Sequence, residues 1–362
     1  MNNIRHRTQV GRPGITLAIA VAIAVLVGPA RAGGGCDRSV LDLAAAHIDA
    51  MLGSVAASTR AVGEAFATQL RDEAPITPEE ADTWRRRIRA SGDTKGFRTW
   101  SEGAPAPAFQ ADAPGIYSYR PGPLRDADIA QLKTFERLVP LLRAAYRSFN
   151  FSWVYLTSAD DLMLIYPYVP LDEAVHNAMP TRQVYYTAAD FDRRAVGWTA
   201  PYLDLVGAGM MITASYPVYE GDRLLGVASR DVTLRQLASG VLARLGLEDG
   251  TEAVLMDDKG LAIEASDPAL AGEIDKVNNN AGAAVLHLRT PDGLAALGSA
   301  RAVASGSSRL NRIGEQVLGS LKQRGAAEVR FDDEGRTVLA TRIQHTGWVL
   351  VLIRSGGLAG TK

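Results

Sequence analysis

Two apolar runs joined by a tight polar turn constrain this chain more than any other feature. Residues 210–219 and 224–232 are rich in strand formers, and Gly221-Asp222 separates them. Short, partly β-branched runs bounded by turn residues predict an antiparallel hairpin. Ahead of it stand the aromatic and acidic element Pro201-Tyr202-Leu203-Asp204 and a Gly-rich turn, Gly207-Ala208-Gly209. Asp231 closes the second run, just before a helix-like segment over 234–245. Two acids and a tyrosine held on paired strands make a polar end to a pocket.

The rest of the chain supplies helices and further strands. Ile48, Leu52, Val55, Val62, Phe66 and Leu70 recur at three- and four-residue steps, which predicts one long helix over 37–72. Thr77-Pro78-Glu79-Glu80 reads as a helix start, with Thr77 as cap and Glu80 three residues on. That helix continues through 84–90, where a cluster of arginines reads as a solvated face. The proline-rich stretch 104–123 reads as a loop, and helical periodicity returns over 126–149. Strands are expected over 151–156 and 162–166 around a turn in which Asp160 and Asp161 are turn formers. After residue 245 the pattern restarts. Strands over 252–256 and 261–265 are followed by a loop at 278–282, a helix over 308–324, and strands over 327–331, 337–343 and 348–353. The order echoes residues 151–232, which we read as a degenerate duplication of two PAS-like antiparallel sheets with helices packed against them.

The run Pro201-Tyr202-x-Asp204, a turn, the strand residues Pro217-Val218, then Gly226-Val227-x-x-x-Asp231 and Leu234 resembles the core pattern of double Cache sensor domains. These are extracytoplasmic ligand-binding modules of bacterial chemoreceptors, histidine kinases and cyclases. The resemblance implies an α+β fold: a long N-terminal helix over 37–72, a ligand-binding Cache module over 73–245, a second Cache module over 246–355, and a tail over 356–362. In such proteins the long helix runs along both modules and often carries a homodimer interface; the alternative is a helix packed on its own domain alone. The second module lacks the Pro-Tyr-x-Asp element and the terminal aspartate, so it reads as a structural spacer.

The resemblance also points to a site. Family members that bind amino acids carry Arg-x-Trp-Tyr near this position, where the arginine holds a carboxylate. Here Arg182 and Tyr185 match and Val184 stands where the tryptophan would be. A planar guanidinium suits a carboxylate, and the paired Asp204 and Asp231 suit an ammonium group. Tyr185, Tyr186, Trp198 and Tyr202 would supply aromatic walls and cation–π contacts. The ligand is then an amino acid, an amine or a small carboxylate. Each residue also has a structural alternative: a core position for the aromatics, a surface ion pair for Arg182, a helix cap for Asp231.

Residues 1–32 have the layout of a secretory signal peptide: Arg5, Arg7 and Arg12, an uncharged apolar run over 15–27, and Ala30-Arg31-Ala32. The run is shorter than the roughly 20 residues a membrane span needs, so cleavage is expected, with an uncleaved anchor as the alternative. Cys36 is the only cysteine, which excludes an intramolecular disulfide; it is either lipidated or a free thiol. Localisation is therefore periplasmic or extracellular. With 39 basic and 40 acidic residues, no basic excess points to nucleic acid. Only His47, His176, His287 and His345 follow the leader, in no metal-binding spacing. No Gly-x-Ser-x-Gly elbow or phosphate-cradling loop is present. We therefore expect no enzyme, no cofactor and no metal. The expected role is an exported sensor that captures a small polar molecule, lacks its own output region and signals through a membrane-bound partner. The alternative is a ligand-free module docking on that partner through 37–72, sensitive to polar changes at Val55 or Val62.

Overall fold

The computed structural model describes residues 35–149, 153–174, 179–204, 209–242, 245, 247, 249–278, 284–324 and 328–355. The leader expected over 1–32, the tail over 356–362 and the side chain of Cys36 lie outside the described residues.

The three- and four-residue apolar spacing produces a single helix, α1 (Gly35–Arg71). Leu41, Ile48, Leu52, Val55, Val62 and Phe66 are all buried along one stripe. By length and composition α1 could cross a membrane, but its apolar stripe is spent on the protein's own cores. The Thr77 cap forms as expected: its hydroxyl accepts from the Glu80 amide and the Glu80 carboxylate accepts from the Thr77 amide, opening α2 (Pro78–Arg86).

The continuation of that helix through 84–90 is not what forms. The Arg87 guanidinium stacks 4.0 Å from the Trp84 ring and its Nε donates to Arg98 O at 2.7 Å. Beyond it the chain becomes β1 (Ile88–Ser91), turns at Gly92 with φ 59, and returns as β2 (Thr94–Phe97). A third strand, β3 (Gly115–Ser118), emerges from the stretch expected to be loop. These strands have four residues each, too short for alternation to show against the surrounding prolines and arginines.

The remaining elements of the first module follow in order. They are α3 (Asp126–Ser148), β4 (Val154–Ser158), β5 (Leu162–Tyr166), α4 (Leu171–Ala174), a 3-10 turn (Pro180–Arg182) and α5 (Val184–Thr187). After them come β6 (Gly197–Trp198), β7 (Tyr202–Leu203), β8 (Met210–Glu220), β9 (Arg223–Thr233) and α6 (Leu234–Leu242). Among the described residues, nine strands form one antiparallel sheet in the order β1-β2-β3-β5-β4-β9-β8-β6, with β7 on β8. The predicted hairpin is its longest pair, with Thr213 opposite Asp231 and Ala214 opposite Arg230.

The second module comprises β10 (Thr251–Met256), β11 (Ala262–Ala265), α7 (Pro268–Asn278), β12 (Val285–His287), α8 (Pro291–Leu297) and β13 (Ala302–Ala304), then α9 (Ser308–Arg324), β14 (Glu328–Asp333), β15 (Arg336–Arg342) and β16 (Val349–Ser355). Its main sheet is antiparallel, β11-β10-β16-β15-β14, and β12 and β13 add a small parallel pair. The fold is α+β: a long helix followed by two sheet-and-helix modules.

The long helix packs on both. Leu41, Ile48, Leu52 and Val55 share a core with Ile212, Ala214 and Val232 of the first sheet and with Leu255, Leu350 and Leu352 of the second. Farther along, Val62 and Phe66 join α3 and the first sheet through Phe135, Leu138, Leu156 and Leu164. Neighbouring strand residues face opposite sides of a sheet. Val154 and Leu156 therefore sit on the α1–α3 face, while Trp153 and Tyr155 sit on the other.

Candidate ligand-binding site

That other face carries an aromatic cluster instead of an aliphatic one: Tyr117, Tyr119, Trp153, Tyr155 and Met163. Residues 169–174 and 183–185 lie over it and help line a cavity of about 290 Å³. Side chains of the first sheet tie this cover down. The Tyr119 hydroxyl donates to Ala174 O at 2.7 Å, and that of Tyr117 donates to Val169 O. The Ser215 and Ser229 hydroxyls donate to Tyr185 O at 2.6 and 3.2 Å. Asp161, in the β4–β5 turn, accepts from the Thr181 amide and hydroxyl at 3.1 and 2.8 Å. The neighbouring Asp160 accepts from Arg125 and Gln131, which ties this turn to the start of α3.

Asp231 is the deepest charge in the cavity wall. Its amide donates to Trp153 O at 2.9 Å, which fixes β9 against the start of β4. Its Oδ1 accepts from the Tyr155 hydroxyl at 2.9 Å and from Thr213 Oγ1 at 2.7 Å. The Thr213 hydroxyl has one hydrogen and spends it on Asp231, so the Tyr202 hydroxyl, 2.7 Å away, donates to Thr213. A chain Tyr202–Thr213–Asp231 results. Burial pushes the Asp231 carboxyl up to about 7; the hydroxyl donors work against that rise and the nearby Asp204 adds to it. Burial and the charge of Asp231 also push the phenols of Tyr155 and Tyr202 well above their ordinary value, which keeps them as donors.

Four of the seven expected site residues meet here: Tyr185, Tyr202, Asp204 and Asp231 all line the cavity. Tyr185 stands edge-on to Tyr155, with ring centres 5.2 Å apart at 88°. Arg182, Tyr186 and Trp198 are not in the lining. Arg182 is exposed on the 3-10 turn. Tyr186 is adjacent to Tyr185 on a short helix, so it points elsewhere and packs with Ala189, Val227 and Phe191. Trp198 pairs with Ala214 at the sheet edge and rests on the core between the modules. Nor does the Asp231 side chain turn to cap α6; its carboxylate is taken by Tyr155 and Thr213.

Tyr117, Tyr119, Trp153 and Tyr155 also line the cavity and were not singled out from sequence. Their signal was present as two aromatic pairs at i, i+2 spacing, which places both members on one face of a strand. Among the described residues, the charged ones in the lining are Glu173, Asp204 and Asp231, with no lysine, arginine or histidine beside them. The Trp153 indole N–H is buried with no hydrogen-bond partner among the described residues.

Residues 144–239 match the family described as methyl-accepting chemotaxis protein-like, first PDC sensor domain. The methyl-accepting chemotaxis protein McpC of Bacillus subtilis is 33% identical over 87 residues, which are 24% of this chain and 13% of McpC. Among solved structures, the sensory domain of the Campylobacter jejuni chemoreceptor Tlp3 with isoleucine bound aligns over 88% of this chain and 90% of its own, at 14% identity and a TM-score of 0.46. The ligand-binding domain of the Pseudomonas aeruginosa amino acid chemoreceptor PctB with L-Arg aligns over 63% and 82%, at 15% identity and a TM-score of 0.37. That of Pseudomonas fluorescens CtaA with L-alanine aligns over 62% and 81%, at 17% and 0.37.

Proposed function

We propose that this chain, a double Cache sensor domain whose residues 144–239 carry a PDC sensor domain of the chemoreceptor type, captures a small ammonium compound in its first module. The observation that carries this reading is the lining of the cavity. Among the described residues, three carboxylates, five tyrosines and a tryptophan face a space of about 290 Å³, with no basic side chain in the lining. Tyrosine and tryptophan faces attract a cation, and more strongly once it is desolvated. Asp231 supplies the counter-charge at the bottom of the site. The carboxylate-holding arm expected from Arg182 lies on the surface, so the arrangement favours an amine over a zwitterionic amino acid or a free carboxylate.

The protein would act outside the cytoplasm by binding, not chemistry, and would pass its state to a membrane-bound signalling partner. Val55 and Val62 are buried in the protein's own cores, so polar changes there would damage the fold and do not test docking. A second copy or a partner would meet the outer side of α1, where Leu43 is exposed.

Titration calorimetry with primary amines, amino acids and small carboxylates tests the ligand class. An amine that binds the wild type and Arg182→Ala alike, and fails with Asp231→Ala, supports it. An amino acid whose binding is lost in Arg182→Ala would restore the zwitterion clamp instead.

A further inference from the structure

Strand β9 holds two buried charges side by side, and they leave the sheet on opposite faces. Asp231 enters the cavity, while Arg230, 1% exposed, enters the junction of α1 with the end of α3. Its Nη1 donates to Ser58 Oγ of α1 at 2.6 Å. Its Nη2 donates to Phe149 O at 2.8 Å and reaches Ser148 Oγ at 3.4 Å, where the carbonyl end of α3 is negatively polarised. Among the described residues no carboxylate pairs with this guanidinium, and burial pulls it down to about 10. Among the described residues this buried cation is held by neutral groups, the Phe149 ring 5.8 Å away included, and such a cation depends closely on where those groups sit.

We propose that residues 230 and 231 form a relay through β9: occupancy of the cavity at Asp231 resets the hold of Arg230 on Ser58 and on the end of α3, and with it the seating of α1. The relay rests on the reading of the cavity as a ligand site. The two residues share a peptide unit, and their neighbours on both sides are fixed: Val154 and Ala214 oppose Arg230, Thr213 opposes Asp231, and Trp153 O holds the Asp231 amide. An ammonium group arriving at Asp231 competes with Tyr155 and Thr213 for its oxygens. In a close-packed sheet that adjustment passes through the backbone to the residue on the other face. The helix then carries it onward, because Leu41, Ile48 and Leu52 of α1 pack on Leu255 and Leu350 of the second module, and Asp49 is held by His345. Ligand energy moves such an equilibrium only if the two states bind it differently; the relay supplies that difference at Arg230.

Amide hydrogen exchange of the full chain tests the relay without a ligand. Asp231→Asn changes the cavity face alone, and Tyr119→Phe serves as a cavity control that is not on β9. The expected result is a change of about threefold or more in exchange around residues 55–62 for Asp231→Asn, none for Tyr119→Phe, and loss of the Asp231→Asn effect in a Ser58→Ala background. An Asp231→Asn effect no larger than the control's, or undiminished by Ser58→Ala, overturns the relay. A second arm adds 2-phenylethylammonium to the wild type, with calorimetry in parallel. Heat of binding with altered α1 exchange supports both readings. Heat without it overturns the relay and keeps the ligand site. No heat removes this amine as ligand, and the substitution arm still decides the relay.

Discussion

Tyr155 donates its phenolic hydrogen to Asp231 Oδ1 across 2.9 Å, joining the neighbouring strands β4 and β9 inside the cavity. Tyr155→Phe removes that donor and leaves the Thr213 hydroxyl donating to the carboxylate. A buried acceptor that loses a partner costs about 1–3 kcal/mol, so the variant should be less stable by that amount and unfold at a lower denaturant midpoint. The Asp231 carboxyl should also titrate higher, because a hydrogen bond to its charged form is gone. Urea melts at neutral pH check the first outcome, and carboxyl NMR titration checks the second. Unchanged stability with unchanged titration would remove Tyr155 from the account of the site.

The raised carboxyl of Asp231 makes stability depend on pH with a definite sign. Its folded value, about 7, lies above its ordinary 3.8. Between the two the folded protein keeps a proton that the unfolded chain has released, so stability falls as pH rises through that window. The slope from this one group is at most about 1.4 kcal/mol per pH unit, and it vanishes above the window. Burial raises Asp257 and Glu264 as well, so the measurement is the difference between wild type and Asp231→Asn. Melting temperatures of the two should converge toward acid and separate toward neutral pH, with the variant higher. An ammonium ligand favours the ionised carboxylate, and its binding should tighten as pH rises toward about 7. Parallel pH curves for the two proteins would mean that Asp231 does not titrate there.

The hairpin, both long helices and every strand with clear alternation were legible in the sequence, since period and turn chemistry depend on near neighbours. Asp204, Asp231, Tyr185 and Tyr202 could be placed together for the same reason: two sit on or beside the hairpin and two on short segments that the family pattern marks. Arg182 and Tyr186 could not be assigned correctly, because which way a residue faces on a single helical turn is decided by what it packs against. The strands β1, β2 and β3 were hidden in polar, proline-rich sequence and exist because a neighbouring strand was already there to pair with. Arg230 reads as an ordinary strand residue until α1 and α3 close over it.

At Gly63, α1 comes close to the first sheet. A β-carbon there would lie 2.7 Å from Tyr216 Cδ1 and 2.7 Å from Val218 Cγ2. Gly63→Val must push the helix away from β8 or force both side chains off their rotamers. Overpacking of this kind costs about 1–3 kcal/mol. The variant should melt earlier, and exchange should quicken in α1 near residue 63 more than in α9. Wild-type stability in this variant would show that the helix sits more loosely on β8 than the contact implies.

At its other end α1 is held by the second module through Asp49, whose Oδ1 accepts from the His345 amide at 2.9 Å and lies 2.7 Å from its Nδ1. Gly53 leaves room for the imidazole, since a β-carbon there would stand 3.1 Å from its Cε1. Burial works to raise the Asp49 carboxyl, but hydrogen bonds and charge from His345 outweigh it and hold the group below 3.8. A lowered carboxyl contributes stability above the unfolded value and loses it as pH falls through the folded one. The effect of Asp49→Ala should therefore be present at neutral pH and fade in strong acid. The pair is partly exposed, so its coupling should be modest, about 0.5 kcal/mol in a double-mutant cycle with His345→Ala. Strictly additive substitutions would mean that the second module holds α1 through its apolar stripe alone.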